Sequence, residues 1–277
     1  MLVTVCSAKG SPGVTSLALT MAAVWPDQAP TLLEADPTGG DLAFRCRHAS
    51  GREVATSPNL VALATAVRGS SLDGLVDPGL VTEHSQPLAC GVQLVPGVPA
   101  PAQARGLGSL WGQIAQAATG SSTDVIADLG RLDRTGPTTQ FAAAADMVVV
   151  VIAPTLESVM HVRHLILDVT PTLADRVPAR PGGPVWVPVV VGPHRQAAGD
   201  AADIDSILGG LGMPLERTVP VAHEPRALAE LEAGANPGGR LARTHLLQTT
   251  RALVETLVDL RDRPTARSST RWETKRR

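Results

Sequence analysis

The chain has 277 residues, a formal net charge of -2 at pH 7 and a hydrophobic fraction of 44%. At roughly 150 residues per domain, this length predicts one large domain or two small ones, and the hydrophobic fraction excludes global disorder. The near-neutral charge argues against a nucleic-acid or membrane footprint that covers the whole chain. Three widely spaced cysteines fit no zinc, redox or disulfide pattern, which favours a reducing cytoplasm.

Short β-like runs alternate with helix-like segments along the chain. The predicted strands are Leu2–Ser7, Thr31–Ala35, Gly91–Pro96, Asp124–Asp128, Met147–Ala153, Val185–Val191 and Thr218–Val221. The predicted helices are Thr15–Trp25, Asn59–Val67, Ala102–Ala118, Thr138–Ala145, Leu156–Leu173, Ala201–Leu211, Pro225–Glu232 and Gly239–Leu260. This alternation predicts an α/β fold with a doubly wound, mostly parallel sheet and helices on both faces.

One domain and a short tail account for the whole sequence. Residues 1–260 are predicted to form a single domain, in which Ala49–Ser85 is a surface excursion and Arg176–Pro184 a turn-rich connector. The tail, Arg261–Arg277, carries seven basic and two acidic residues and is predicted to be disordered.

Neither a signal peptide nor a membrane-spanning segment is expected. The N-terminal apolar run Met1–Cys6 is short and has no basic region. The longest apolar run, Met147–Pro154, has about eight residues, whereas a spanning helix needs roughly 20. We therefore expect a cytoplasmic protein, with peripheral association at the membrane or nucleoid as an alternative.

A glycine-rich loop follows the first predicted strand and precedes the first predicted helix. Consecutive backbone N–H groups and the helix N-terminus favour an anion at this place. Gly10 and Gly13 allow backbone conformations that other residues resist, and Thr15 or Ser16 could hold Mg²⁺. The alternative is an ordinary turn between a strand and a helix, since Gly, Pro and Ser are common in turns.

The loop resembles that of the ParA/MinD family of P-loop ATPases, whose deviant Walker A motif reads KGGxGKT. The matching residues here are Lys9-Gly10-Ser11-Pro12-Gly13-Val14-Thr15. Lys9, the only lysine ahead of the tail, falls on the family's signature lysine, which reaches the nucleotide of the partner subunit. The resemblance implies a P-loop NTPase fold, ATP and Mg²⁺ as ligands, and a homodimer. It places the nucleotide against Lys9, Gly10, Ser11, Gly13, Val14, Thr15 and Ser16.

Two further motifs resemble the family's in the expected order. Leu32–Asp41 is similar to the second-strand motif LLVDxDPQG, so that Asp36 matches the carboxylate that orients the attacking water, and Glu34 the acidic residue before it. Asp124–Asp128 is similar to the Walker B strand, whose last carboxylate reaches Mg²⁺ through water. The resemblance therefore implies Asp36 and Lys9 as catalytic residues and Thr15, Asp36 and Asp128 as the metal site.

The sequence departs from the family's pattern at both ends of the nucleotide. Val14 stands where the family has its second lysine, the one that neutralises the β- and γ-phosphates. Losing a charge-assisted phosphate contact costs about 1.5–3 kcal/mol, and the loss should weigh most on the transition state. We expect slow or absent hydrolysis with binding retained. The adenine-reading Asn is missing after Val189–Val191, and Pro220 with the loop that follows it is expected to flank the base.

The resemblance implies a nucleotide-responsive or nucleotide-independent dimeric scaffold that positions a cellular machine. The degenerate loop is similar to atypical members that localise pilus-assembly or secretion machinery, and other members serve cell division or chromosome partitioning. Three alternatives stay open: an active ATPase that cycles between dimer and monomer, a pseudo-ATPase that only binds partners, and a partition protein. The last would use the basic tail on DNA, and the same tail could contact an anionic membrane.

The predicted last helix carries an apolar stripe, formed by Leu246, Leu247, Leu253, Val254, Leu257 and Val258. The stripe favours packing against the core over a helix that lies on a membrane surface, since the basic residues follow the helix instead of forming its polar face. The histidines are scattered, and His161 and His164 lack a carboxylate to complete a metal site.

Overall fold

A computed structural model describes residues 1–10, 12–26, 28–70, 77–176, 183–211 and 215–263. The strands are β1 (Leu2–Ser7), β2 (Thr31–Glu34), β3 (Gln86–Pro87), β4 (Gln93–Val95), β5 (Val125–Arg131), β6 (Met147–Ile152), β7 (Val185–Gly192) and β8 (Val219–Ala222). The helices are α1 (Val14–Val24), α2 (Leu42–Arg45), α3 (Leu60–Ser70), α4 (Leu80–Glu83), α5 (Pro101–Leu107), α6 (Leu110–Thr119), α7 (Thr139–Ala144), α8 (Leu156–Arg176), α9 (Ala197–Leu208), α10 (Pro225–Glu232) and α11 (His245–Asp262). Two 3₁₀ turns lie at Gly209–Leu211 and Arg240–Arg243.

The eight strands form one sheet in the order β3-β4-β2-β5-β1-β6-β7-β8. Every pairing is parallel except that of β3 with β4. The central strands are buried on both faces, as the unbroken valine and isoleucine run of β6 requires. The predicted doubly wound, mostly parallel sheet is confirmed. In such sheets ligands bind outside the carboxyl ends of the strands, which places the glycine-rich loop at the expected edge.

Helices cover both faces of the sheet. One core cluster joins the sheet to α1, α10 and α11, and the other joins it to helices between α3 and α9. Successive residues of β1 alternate between the two clusters, since Val3 and Val5 belong to the first and Leu2 and Cys6 to the second.

The apolar stripe of α11 packs against the core, as its spacing predicts. Leu247, Leu253 and Leu257 are fully buried against α1 and the sheet. These side chains are therefore unavailable to a membrane surface. Within the described part of the chain, no helix is both long and apolar enough to span a bilayer.

Two expectations about local structure are wrong. The helix predicted over Ala102–Ala118 is two helices, α5 and α6, because the chain turns at Gly108 with a φ of +49°. The segment Ala49–Ser85 is not a surface excursion, since Leu60, Leu63 and Val67 of α3 lie fully buried in the core. Burial of α3 depends on packing against α6, which the sequence of the segment does not contain.

The predicted connector and tail fall mainly outside the described residues. Of Arg176–Pro184, residues 177–182 lie outside them, and so do residues 264–277 of the tail. Helix α11 continues to Asp262, so the first two tail residues belong to the last helix.

Candidate functional site

The loop between β1 and α1 owes its shape to two glycines. Gly10 has a φ of +76° and Gly13 a φ of +98°, a left-handed conformation that strains any residue with a Cβ atom. A Cβ placed on either glycine would meet no described atom within 4 Å. Conformation therefore requires glycine here, and the space above the loop is open. Ser11 lies outside the described residues.

Helix α1 begins directly after Gly13, whose carbonyl accepts the first helical hydrogen bond from Leu17 at 2.8 Å. The first turn of a helix leaves N–H groups without intrahelical partners, and the helix dipole adds positive potential there. Thr15 and Ser16 lie half-buried on this turn, and Lys9 is exposed beside the loop. The loop and the first turn together offer a concentration of N–H donors suited to a phosphate.

Asp128 lies beneath the loop, on β5 and in register with Val5 of β1. It is 1% exposed. Burial raises the pKa of its carboxyl to about 7, against hydrogen bonds from the Thr15 hydroxyl and the Gly130 N–H that lower it. The negative charges of Glu34 and Asp36 add to the upward shift. A cation bound at this place would relieve that repulsion.

Asp36 lies half-buried on the loop after β2. Its Oδ1 atom accepts hydrogen bonds from the backbone N–H and the hydroxyl of Thr38, both at 2.7 Å. Its other carboxylate oxygen lies against Gly130, so closely that a Cβ atom there would collide with it. Gly130 itself has a φ of +60°. One glycine thus holds Asp36 and Asp128 close together.

Glu34 lies within the sheet and organises the loop that carries Asp36. It is 1% exposed. Its Oε1 accepts from the N–H groups of Asp41 and Leu42, each at 2.9 Å, and its Oε2 accepts from Gly97 at 3.0 Å. Gly40 and Gly97 approach so closely that a Cβ atom on Gly40 would come within 2.8 Å of the Gly97 Cα. Burial raises the pKa of Glu34.

The three predicted metal ligands fit magnesium. Thr15, Asp36 and Asp128 supply a hydroxyl and two carboxylates, the hard oxygen donors that Mg²⁺ prefers. Within the described ranges no group of three or more His, Cys, Asp or Glu residues could hold a metal by itself. Magnesium would therefore be held jointly by these residues and by ligand phosphates, as is usual for this ion.

A cavity of about 530 Å³ lies beside the loop, a size typical of small-molecule sites. One wall is the face of α1 that carries Gly13, Ser16 and Thr20. The other walls follow β6, β7 and β8, and the lining residues there are Ala153, Pro154, Val191, Gly192, Pro193, Val221, Ala222, His223, Glu224, Pro225, Leu228 and Leu246. Most of these residues are apolar, as expected for the pocket of a base or sugar.

Pro220 lies inside β8, paired with Val190. The cavity wall is formed by the residues that follow it, from Val221 to Pro225. Glu224 is anchored there, because its Oε2 accepts from the N–H of Leu246 at 2.8 Å. Beside the wall the rings of His194 and His245 stack at 3.9 Å with an interplanar angle of 12°. The sequence held no motif for this end of the site.

Similar proteins were found by comparing structures and not by comparing sequences. No family model and no curated protein matches the sequence. A ParA family ATPase from Chlorobium tepidum TLS aligns with a TM-score of 0.66 at 19% identity, over 92% of this chain and 98% of that one. McdA of Cyanothece, in a complex with ATP, aligns with a TM-score of 0.65 at 17% identity, over 93% and 96%. The septum site-determining protein MinD of Pyrococcus horikoshii OT3, complexed with Mg-ADP, gives 0.64 at 10% identity, over 94% and 97%.

The chain has the ParA/MinD fold. The resemblance drawn from three short motifs is thereby confirmed for the architecture, over nearly the whole chain. The structure brings Thr15, Asp36 and Asp128 together beneath the loop and sets Gly10, Gly13 and Ser16 around the space above it. Their roles toward a nucleotide stay predictions.

Two features determine the charge near the first turn of α1. The side chain of Val14 is 5% exposed and packs into the core, so position 14 contributes no charge to the loop. An arginine from elsewhere reaches the same turn of α1: Nη2 of Arg45 donates to Oγ of Ser16 at 3.0 Å. Sequence reasoning missed Arg45, which is 29 residues from Ser16 and belongs to no motif.

Proposed function

We propose that this protein is a nucleotide-binding positioning factor. It binds ATP with Mg²⁺ at the glycine-rich loop, forms a homodimer, hydrolyses ATP slowly or not at all, and serves a protein machine of the pilus-assembly or secretion type. Division and chromosome partitioning are the related alternatives. The observation that carries the proposal is the loop with two left-handed glycines over the Thr15–Asp128 pair, next to a cavity of about 530 Å³.

Binding follows from the donors that the loop supplies. A Cβ atom on Gly10 or Gly13 would meet no described atom within 4 Å, so the loop leaves room for phosphates to approach its backbone. Thr15, Asp36 and Asp128 would hold Mg²⁺, which supplies positive charge to the phosphates when bound. The adjoining cavity, with its apolar walls, then has the size for a nucleoside.

Slow hydrolysis follows from the charge that position 14 lacks. Phosphoryl transfer spreads negative charge over the γ-phosphoryl oxygens, and positioned cations stabilise it. Val14 is buried among apolar side chains and cannot contribute. Lys9 is exposed at the edge of the loop, and the family resemblance implies that it acts across a dimer.

The positioning role is supported by the fold and by the names of its structural neighbours. One is described as a septum site-determining protein and another as a ParA family ATPase. A homodimer and a protein partner are the corresponding proposals for this chain. Contact with DNA or an anionic membrane would depend on residues 264–277, outside the described ranges, and stays a prediction together with the cytoplasmic location.

The test is equilibrium binding of ATP with Mg²⁺ to the purified protein, with Lys9→Ala as the matched variant. We expect micromolar binding that Lys9→Ala weakens, a dimer by sedimentation with ATP, and turnover far below that of an efficient ATPase. No binding up to millimolar ATP would overturn the proposal and leave the loop as a structural element.

An active ATPase is the second candidate, favoured by one observation. Asp36 lies against Gly130 beside Asp128, and a carboxylate at the phosphate site could orient an attacking water. Magnesium-dependent turnover that Asp36→Ala abolishes would establish this candidate. It would also show that Val14 does not make hydrolysis slow.

A further inference from the structure

Arg45 is a basic side chain that the fold delivers to the first turn of α1. Its Nη2 atom lies 3.0 Å from Oγ of Ser16, and Ser16 lines the cavity beside the loop. The Arg45 side chain is 31% exposed. A guanidinium carries a permanent charge and five N–H donors in a geometry that matches phosphate oxygens.

The position of Arg45 is fixed from below by a buried carboxylate. Glu34 accepts hydrogen bonds from the N–H groups of Asp41 and Leu42, and these residues start the short helix α2. Arg45 is the last residue of that helix, and its own N–H donates to the Asp41 carbonyl at 3.1 Å. The side chain is thus directed toward α1 by the architecture of the loop that also carries Asp36.

A carboxylate holds the same nitrogen from the other side. Nη2 of Arg45 forms an ion pair with Glu232, the last residue of α10, whose side chain is 17% exposed. The guanidinium therefore lies between a neutral hydroxyl of the phosphate loop and an anion from a different helix. Phosphates at the loop would offer it a second, more highly charged anion.

We propose, on the basis of the proposed function, that Arg45 is the phosphate-binding cation of this site and supplies the charge that Val14 cannot. The ligand class is a nucleoside di- or triphosphate. Its phosphates compete with Glu232 for the guanidinium, so binding weakens the link between α2 and α10. Arg45 touches the ligand directly, and Glu232 sets how readily the arginine is released.

The test compares three charge-removing variants by their affinity for ATP with Mg²⁺. Arg45→Gln should weaken binding about 10- to 100-fold, the range expected for a charge-assisted hydrogen bond to phosphate. Glu232→Gln should strengthen it a few-fold, since the competing anion is gone. Arg240→Gln is the control, because Arg240 forms a more exposed ion pair with Glu230 of the same helix, at 3.0 Å, and should leave affinity unchanged.

Thermal unfolding without ligand separates binding from folding. If Arg45 only braces α1 against α10, Arg45→Gln and Glu232→Gln lower the unfolding temperature alike and change affinity in the same direction, which would overturn the proposal. The affinity of Arg45→Lys for ATP should lie between that of the wild type and that of Arg45→Gln. This variant provides the test if Arg45→Gln folds poorly.

The two proposals fail in different ways. A wild type that binds ATP while Arg45→Gln binds it equally well rejects the role of Arg45 alone. A wild type that binds no ATP rejects the nucleotide function and the role of Arg45 together.

Discussion

The glycine-rich loop at the phosphate end of the cavity is one short stretch of chain, whereas the far end comes from loops that follow three different strands. The loop from Ser7 to Ser16 sets the first end by its own backbone conformation. The far end is formed by Pro154, Gly192 and the residues Ala222–Pro225. These residues meet because β6, β7 and β8 are neighbours in the sheet. A site built from local backbone geometry can be recognised in a sequence, while one assembled by sheet order cannot.

The two ends also differ in what a ligand would find there. Below the loop lie Thr15, Asp36 and Asp128, in a region where buried negative charge is concentrated. The far end is lined mainly by apolar side chains, with Glu224 tied to the start of α11. We therefore expect changes at the first end to alter charge-dependent properties and changes at the second to alter fit.

The largest expected effect comes from the buried carboxylate of the phosphate end. Burial raises the pKa of Asp128 from 3.8 to about 7, so the folded protein binds more protons than the unfolded chain between these values. Stability without ligand must then fall as the pH rises through this window. Asp128→Asn removes the ionisation and should increase the free energy of unfolding by about 2 kcal/mol at pH 8.

Denaturant unfolding at pH 8 and pH 4 measures this effect. The advantage of the variant should shrink toward pH 4, where Asp128 is protonated in the folded wild type and only partly ionised in the unfolded chain. A variant that is equally or less stable than the wild type at pH 8 would show that the carboxylate is already compensated.

A smaller effect is expected from the backbone of the same end. Gly13→Ala places a Cβ atom at a φ of +98°, which costs about 1–2 kcal/mol. If the loop relaxes to avoid the strain, affinity for ATP with Mg²⁺ falls about 5- to 30-fold. Titration of the variant checks this.

The matched control is Gly199→Ala on α9, where a Cβ atom meets no described atom within 4 Å and no left-handed φ is involved. It should bind ATP normally and be slightly more stable, because alanine favours a helix. Equal losses of affinity in both variants would show that binding does not depend on the left-handed conformation of Gly13.

The far end should respond to shape and not to charge. Leu228 lines the cavity, and Leu228→Trp should weaken ATP binding about tenfold, or 1.4 kcal/mol, by occupying the space of the base. Inorganic tripolyphosphate, which lacks a nucleoside, should bind as before. Leu260→Trp is the control, because Leu260 packs against the same core outside the cavity. A parallel loss of tripolyphosphate binding would mean that the two ends are not separable.

The smallest effect concerns the stacked histidines beside the far end. His194 and His245 lie in contact through their ring faces, and a stacked pair contributes about 0.5 kcal/mol or slightly more. A double-mutant cycle with His194→Ala and His245→Ala at pH 8 should give a coupling energy of that size. Strict additivity would show that the contact is energetically neutral.

Much of the fold and of the phosphate end could be read from the sequence, for physical reasons that particular residues illustrate. The continuous valine run of β6 has the pattern of a strand buried on both faces, and Gly10 and Gly13 mark a turn that needs left-handed residues. The break of the predicted helix at Gly108 was missed because single glycines are tolerated inside helices. The core position of α3 was missed because α6 covers it.

Sequence reasoning overlooked Arg45 entirely and, for Glu34, the contacts that it makes, because both residues act across long separations. Arg45 meets Ser16 and Glu232, and Glu34 meets Gly97, through contacts that no local pattern announces. At the far end, Pro220 was chosen by its place near a strand end, whereas the lining of the cavity begins one residue later, at Val221. Neither exact strand boundaries nor tertiary partners could be predicted from this single sequence.

The carboxylate of Glu34 has a mechanical consequence. It accepts hydrogen bonds from the loop after β2 through one oxygen and from Gly97 through the other. The backbones of Gly40 and Gly97 are in contact and leave no room for a methyl group between them. The Gly40 N–H also donates to the Val98 carbonyl at 3.1 Å. We therefore expect the stretch bearing Asp36 and the stretch leading into α5 to move together, which would couple a displacement at the phosphates to the outer edge of the sheet.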